Sequence, residues 1–132
     1  MTPLKRQNET GQTMAEFAIV LPILIMLLFG IIEFGITFNN YVALTDAARA
    51  AARKGAVSRN DPSGPQAACQ NAGYAAATDL KNPPLSITCS SSGGWAPGSD
   101  VQVTATYPYT IQFLGIPVIS GTLTSVMKER VE

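Results

Sequence analysis

Three kinds of residue in this 132-residue chain could do chemistry. The first is a pair of carboxylates, Glu16 and Glu33, each set among apolar neighbours. An ionised carboxylate at membrane depth is costly unless it is paired, so each is a functional candidate. The second is Gly11, five residues before Glu16. Without a Cβ its backbone can be approached closely and can adopt unusual dihedrals, which suits a peptide bond meant to be cut. The third is Cys69 and Cys89, the only cysteines. They could form a disulfide, remain two buried thiols or share a metal, although two cysteines without any histidine make a poor metal site.

The element that must position the first two is one long helix. Phe17 to Ile32 is sixteen residues without a charge, and after Glu33 the run resumes to Phe38 before Asn39 and Asn40. Residues 17–38 are 22 in number, about 33 Å as a helix, enough to cross a hydrocarbon core of roughly 30 Å. A buried core helix would be less apolar on its outer side. A cleavable secretory signal would have a shorter run followed by a small-x-small site. Here the nearest such site, Ala48-Arg49-Ala50, lies too far downstream. Residues 17–38 therefore read as a membrane span. Pro22 inside it removes one hydrogen bond and favours a kink, which membrane helices tolerate. Gly30 and Gly35 allow close helix contact without the GxxxG spacing.

The stretch Gly11-Gln12-Thr13-Met14-Ala15-Glu16-Phe17-Ala18, the apolar run and then Gly30-Ile31-Ile32-Glu33-Phe34-Gly35 resemble the TadE-like minor pseudopilins of the tight-adherence (Flp-type) pilus system. Thr106-Tyr107-Pro108-Tyr109 and the Thr-rich close of the chain are similar to that family's carboxyl-terminal pattern, whereas residues 56–98 resemble nothing specific. The resemblance implies that residues 1–11 are a leader removed by a prepilin peptidase. Gln12 would become the mature amino terminus, with Gln12, Glu16 and Phe17 completing the processing site. It implies that Glu16 meets a freed α-amine, its own or a neighbour's. It also implies other pilins, pseudopilins and a pilus assembly platform as partners. Glu16, Pro22 and Glu33 are the expected subunit-assembly residues. Glu16 would otherwise be a solvated charge in the first turn of a helix, where its sign suits the dipole. Glu33 either bends out to the far interface or pairs with a basic group on a partner. A TadF-type sister pseudopilin fits nearly as well.

Beyond the span, Tyr41 to Lys54 holds six alanines in fourteen residues and continues the helix, which is expected from about Met14 to Lys54 with Gly55 as its cap. Asp46 can pair with Arg49, three residues on. The alanine-rich surface suits lateral packing between subunits or a solvated stalk. Residues 55–65 read as a loop. A second helix is expected over Gln66–Leu80, ended by Asn82-Pro83-Pro84. Strands are expected at Leu85–Ser90, Asp100–Tyr107 and Thr122–Val131. The fold class is α+β: a long amino-terminal transmembrane and amphipathic helix (12–54), then a small extracytoplasmic domain (55–132) with a short antiparallel sheet. At 78 residues such a domain benefits from a staple. A Cys69–Cys89 disulfide would supply one in an oxidising compartment.

No histidine, nucleophile elbow, P-loop or metal-ligand cluster occurs. Formal net charge is zero, so nothing suggests nucleic-acid binding. The expectation is a non-enzyme without cofactor or small-molecule substrate. Lysines and arginines flank the span on both sides and leave its orientation open. The cysteines and the resemblance favour a single-pass inner-membrane protein with a cytoplasmic amino terminus and a periplasmic domain, held there or within a surface pilus. The rival is a permanently anchored envelope protein whose outer domain binds a ligand or partner. An exported soluble binding protein would need a cut after the apolar run.

Overall fold

Nothing between Gln12 and Val57 breaks a helix except Pro22, and a membrane-type sequence leaves the backbone no better way to satisfy its own hydrogen bonds. A computed structural model describes residues 7–80 and 85–132. In it α1 runs unbroken over Gln7–Val57 with Pro22 inside it. The order continues as α2 (Pro65–Ala76), β1 (Ser86–Ser91), β2 (Asp100–Phe113) and β3 (Ile116–Arg130). The fold is α+β, a long apolar helix followed by a three-stranded antiparallel sheet in the order β1-β2-β3. Two compact units divide the chain, one ending at Gly35 and the other covering Ile36–Glu132.

In the second unit α1 is a component of the core. Leu44, Ala47, Ala48, Ala51 and Ala52 are buried, a spacing that makes one stripe on a helix. Across from it stand Ile87 of β1 and Val101, Val103, Ala105 and Tyr107 of β2. The alternation of β2 turns these residues inward and Gln102 and Thr104 away. Small side chains let the layers approach closely. At Gly55, a Cβ would stand 3.1 Å from Val101 Cγ1 and 3.3 Å from Trp95. At Gly73 of α2, it would stand 2.6 Å from Ile87 and 3.0 Å from Ala51 Cβ.

Several expected boundaries move. Gly55 does not cap α1, which continues to Val57, because the residue is needed as a close-packing site within the helix. The alanine surface packs inside its own domain. α2 begins at Pro65, whose fixed φ suits a first helical position. It stops at Ala76, before the expected Leu80, where Ala77 closes the last turn onto Gly73 and Tyr74 carbonyls and Leu80 turns into the core. The proposed stop at residues 82–84 lies outside the described residues. β2 runs past Pro108 to Phe113, and β3 starts six residues earlier than expected. β1 pairing ends at Thr106, so among the described residues Pro108 sits where β2 has a neighbour on one side only, a position that tolerates a missing N–H.

Cys69 and Cys89 form a disulfide that ties α2 to β1 across a separation of 20 residues, with Cα atoms 6.4 Å apart. The loop before α2 is organised by Asp61. It accepts hydrogen bonds from the Ser63 hydroxyl (2.7 Å) and the Ser63 N–H (3.1 Å), and it pairs with Lys54 at 3.2 Å. The Ser63 hydroxyl is the largest cause that holds the Asp61 carboxyl below its ordinary range, followed by the Ser63 N–H and Lys54. The Ser58 hydroxyl donates to the Lys54 carbonyl at the same helix end.

Candidate processing and assembly site

Gly11, Gln12, Glu16 and Phe17 lie within two turns of α1, so the sequence-expected processing residues share one short helical stretch. All four are exposed. Apart from its chain neighbours and its own helix backbone, no atom of the described residues comes within 4 Å of where a Cβ of Gly11 would stand. The Gln12 side-chain amide donates to Glu16 Oε1 at 3.1 Å, one turn on. The leader residues 1–6 lie outside the described residues. The described helix already includes Gln7, nine residues before Glu16, so Glu16 lies beyond its first turn in the uncut chain. The expected first-turn dipole benefit is therefore absent there, since the field fades within the first turn.

From Phe17 to Ile32 the helix surface is apolar and exposed all round, and beyond it only Glu33 and Thr37 are half-exposed before Phe38. Phe17 is 60%, Ile23 63% and Ile31 61% accessible. A soluble helix would present a polar face somewhere on such a surface. This helix is long and apolar enough to cross a membrane and none of its most apolar stretch is buried. Pro22 leaves the Ala18 carbonyl without its usual helical donor. Glu33 is half-exposed and stands seventeen residues beyond Glu16, about 26 Å along the axis, so the two carboxylates do not share a site.

Residues 11–53 match the TadE-like protein family. The TadE-like segment thus starts at the glycine of the expected junction and covers the span together with the alanine stripe. It ends before the sheet, so the likeness read at Thr106–Tyr109 lies beyond it. The match covers 43 of the 132 residues, about a third of the chain, and overlaps the one helix among the described residues that is long and apolar enough to cross a membrane. No curated protein and no solved structure matches the chain.

Sequence reasoning anticipates the TadE-like match but misses three features of the Ile36–Glu132 unit. Gly55 and Gly73 are close-packing sites, which no local pattern distinguishes from ordinary helix glycines. The far ends of β2 and β3 form an apolar hairpin tip. Its signal is the absence of any charge over the 27 residues from Val101 to Met127.

Proposed function

We propose that this chain is a minor pilus subunit, a pseudopilin, inserted with its amino terminus inside and cut after Gly11 by a prepilin peptidase. The observation that carries this reading is the TadE-like match that opens at Gly11 and runs along an exposed apolar helix. A peptidase reads extended backbone, so the helix must open at the scissile bond. A helix-interior glycine lowers that cost by about 1 kcal/mol relative to alanine. After the cut, Gln12 carries a new α-amine and Glu16 stands four residues away. The present Gln12–Glu16 hydrogen bond supports the idea that this carboxylate reaches across one turn. A paired carboxylate is tolerable at the membrane boundary where a lone one is not.

The mature subunit works by contact alone. Residues 17–38 pack against other pilins through a helix that Pro22 adapts, Glu33 meets a basic group on a partner, and the disulfide-stapled domain is displayed outside the cytoplasm. The role needs no cofactor, nucleic acid or small-molecule substrate, and no catalysis by this chain. The disulfide supports the placement of the domain in an oxidising compartment.

The test is the amino terminus of the protein made in its own cell, read by intact mass and terminal peptide mapping beside a Gly11→Ala variant. The expected result is a mature start at Gln12 that disappears in the variant. A chain that keeps its leader in both sinks the pseudopilin reading.

A further inference from the structure

β1 pairs with β2 only from Val101 to Thr106, whereas β2 and β3 stay paired as far as Phe113 and Ile116. Beyond Thr106 the two strands form an arm that leaves the sheet. Its tip is the two-residue turn Leu114-Gly115, with φ of 50° and 82°. Such turns favour Asn-Gly, because asparagine and glycine accept left-handed backbone readily. Here a leucine holds the awkward position and is 71% exposed. Ile116 (67%), Val118 (62%) and Ile119 (53%) are exposed beside it. An uncharged apolar cluster of this kind marks an interaction surface.

The register says which way the arm goes within the Ile36–Glu132 unit. Val101 packs at Gly55. Ile87, the register partner of Ala105, packs at Gly73, beside Ala51 and the Ala47 carbonyl. From Val101 to Ala105, β2 therefore travels back along α1, toward Phe38. Eight more residues bring it to Phe113, about 26 Å further. The path from Ala51 back to Phe38 is thirteen residues of helix, about 20 Å. The surplus of a few ångströms absorbs the slant of strands against helix. Counted this way, the tip comes to about the level of Phe38, the end of the span as read above.

We propose that Leu114, Ile116, Val118 and Ile119 sit in the outer headgroup–acyl boundary of the bilayer that holds the span, as a second apolar anchor for the outer domain. The proposal rests on reading residues 17–38 as a membrane span. The tip carries no cation, so it needs no anionic lipid, and burial of apolar side chains at the interface suffices.

The experiment places a single tryptophan in the full chain, reconstituted in phosphatidylcholine vesicles that carry a quencher either high or deep on the acyl chain. Trp95→Phe provides the background, with formation of the Cys69–Cys89 disulfide as the check on folding. Ile116→Trp and Val118→Trp report on the tip, and Leu27→Trp reports on the span. The expected result is blue-shifted tip emission that loses more intensity to the shallow quencher than to the deep one, with the reverse order at position 27. Tip reporters that emit as in water while position 27 is quenched overturn the proposal and leave the span intact. Tip emission that is blue-shifted but unquenched by either lipid assigns the tip to a second copy and also overturns it. Loss of quenching at position 27 as well removes the span reading, and the proposal falls with it.

Discussion

The two halves of α1 are made of one unbroken helix and obey opposite rules. From Phe17 to Phe38 large apolar side chains are exposed, whereas from Leu44 to Ala56 small alanines are buried. The more hydrophobic half is the less covered by its own chain. The inversion fits two halves that face different solvents, as the proposed membrane span has it. Lipid satisfies leucine and isoleucine without further packing, while in water the alanines need the sheet above them. Hydrophobicity alone thus says little about burial until the solvent is named.

Truncating a leucine in each half should break the symmetry most clearly. Leu44→Ala removes a fully buried side chain and should cost the outer domain about 2–5 kcal/mol. Leu24→Ala, at a position 56% exposed, should leave domain unfolding unchanged. Denaturant titration in detergent micelles, followed by Trp95 emission, separates the two. If Leu24→Ala destabilises the domain equally, the two-solvent account is wrong. Next in size is the staple. Replacing Cys69 and Cys89 by alanine together should cost about 3 kcal/mol, by the loop-closure entropy of the unfolded chain, and should leave membrane insertion untouched. Alkaline extraction of membranes beside the same titration checks both halves at once.

A smaller effect sharpens the picture of the buried half. Gly73→Ala forces a methyl group against Ile87 and Ala51, and should destabilise by about 1–3 kcal/mol through overpacking. Gly30→Ala, with nothing within 4 Å of its added methyl, should not destabilise the subunit. The smallest effect is acid sensitivity near the end of α1. The Asp61 carboxyl is held below its ordinary value of 3.8. Its contribution is therefore present in full above that value and lost as pH falls through the depressed folded value. The protection of residues 58–64 against hydrogen exchange, taken relative to the intrinsic rate at each pH, should fall in acid, and Asp61→Asn should remove that dependence. An acid response that persists in Asp61→Asn would point to another group.

Much of α1 is legible in one dimension. Lipid demands an apolar surface, so the span shows as a long apolar run that Glu33 alone interrupts with a charge. Alanine content predicts helix at residues 41–54 but says nothing of what covers it, and the covering sheet lies far along the chain. Gly55 resembles a cap because glycine often ends helices. Its use here is set by Val101, 46 residues away. β2 is legible to Tyr107, where alternation is regular. Pro108 hides the rest because proline argues against a central strand, and only the sheet's edge reveals that the strand is no longer central there. At the candidate site, the Gly11-to-Glu16 spacing is legible because both residues lie in one short stretch of the chain. What Glu33 meets depends on atoms outside the chain.

The two-residue turn at Leu114–Gly115 also sets an order in time. β2 and β3 are the most local pairing in the fold, and a hairpin of this kind closes in about 1–10 μs, whereas the core must wait for distant α1 and α2 to arrive. The ribbon is therefore expected to close first, with both edges open and an apolar tip. The earliest folded part of the domain is also the part most prone to stick to a neighbouring chain.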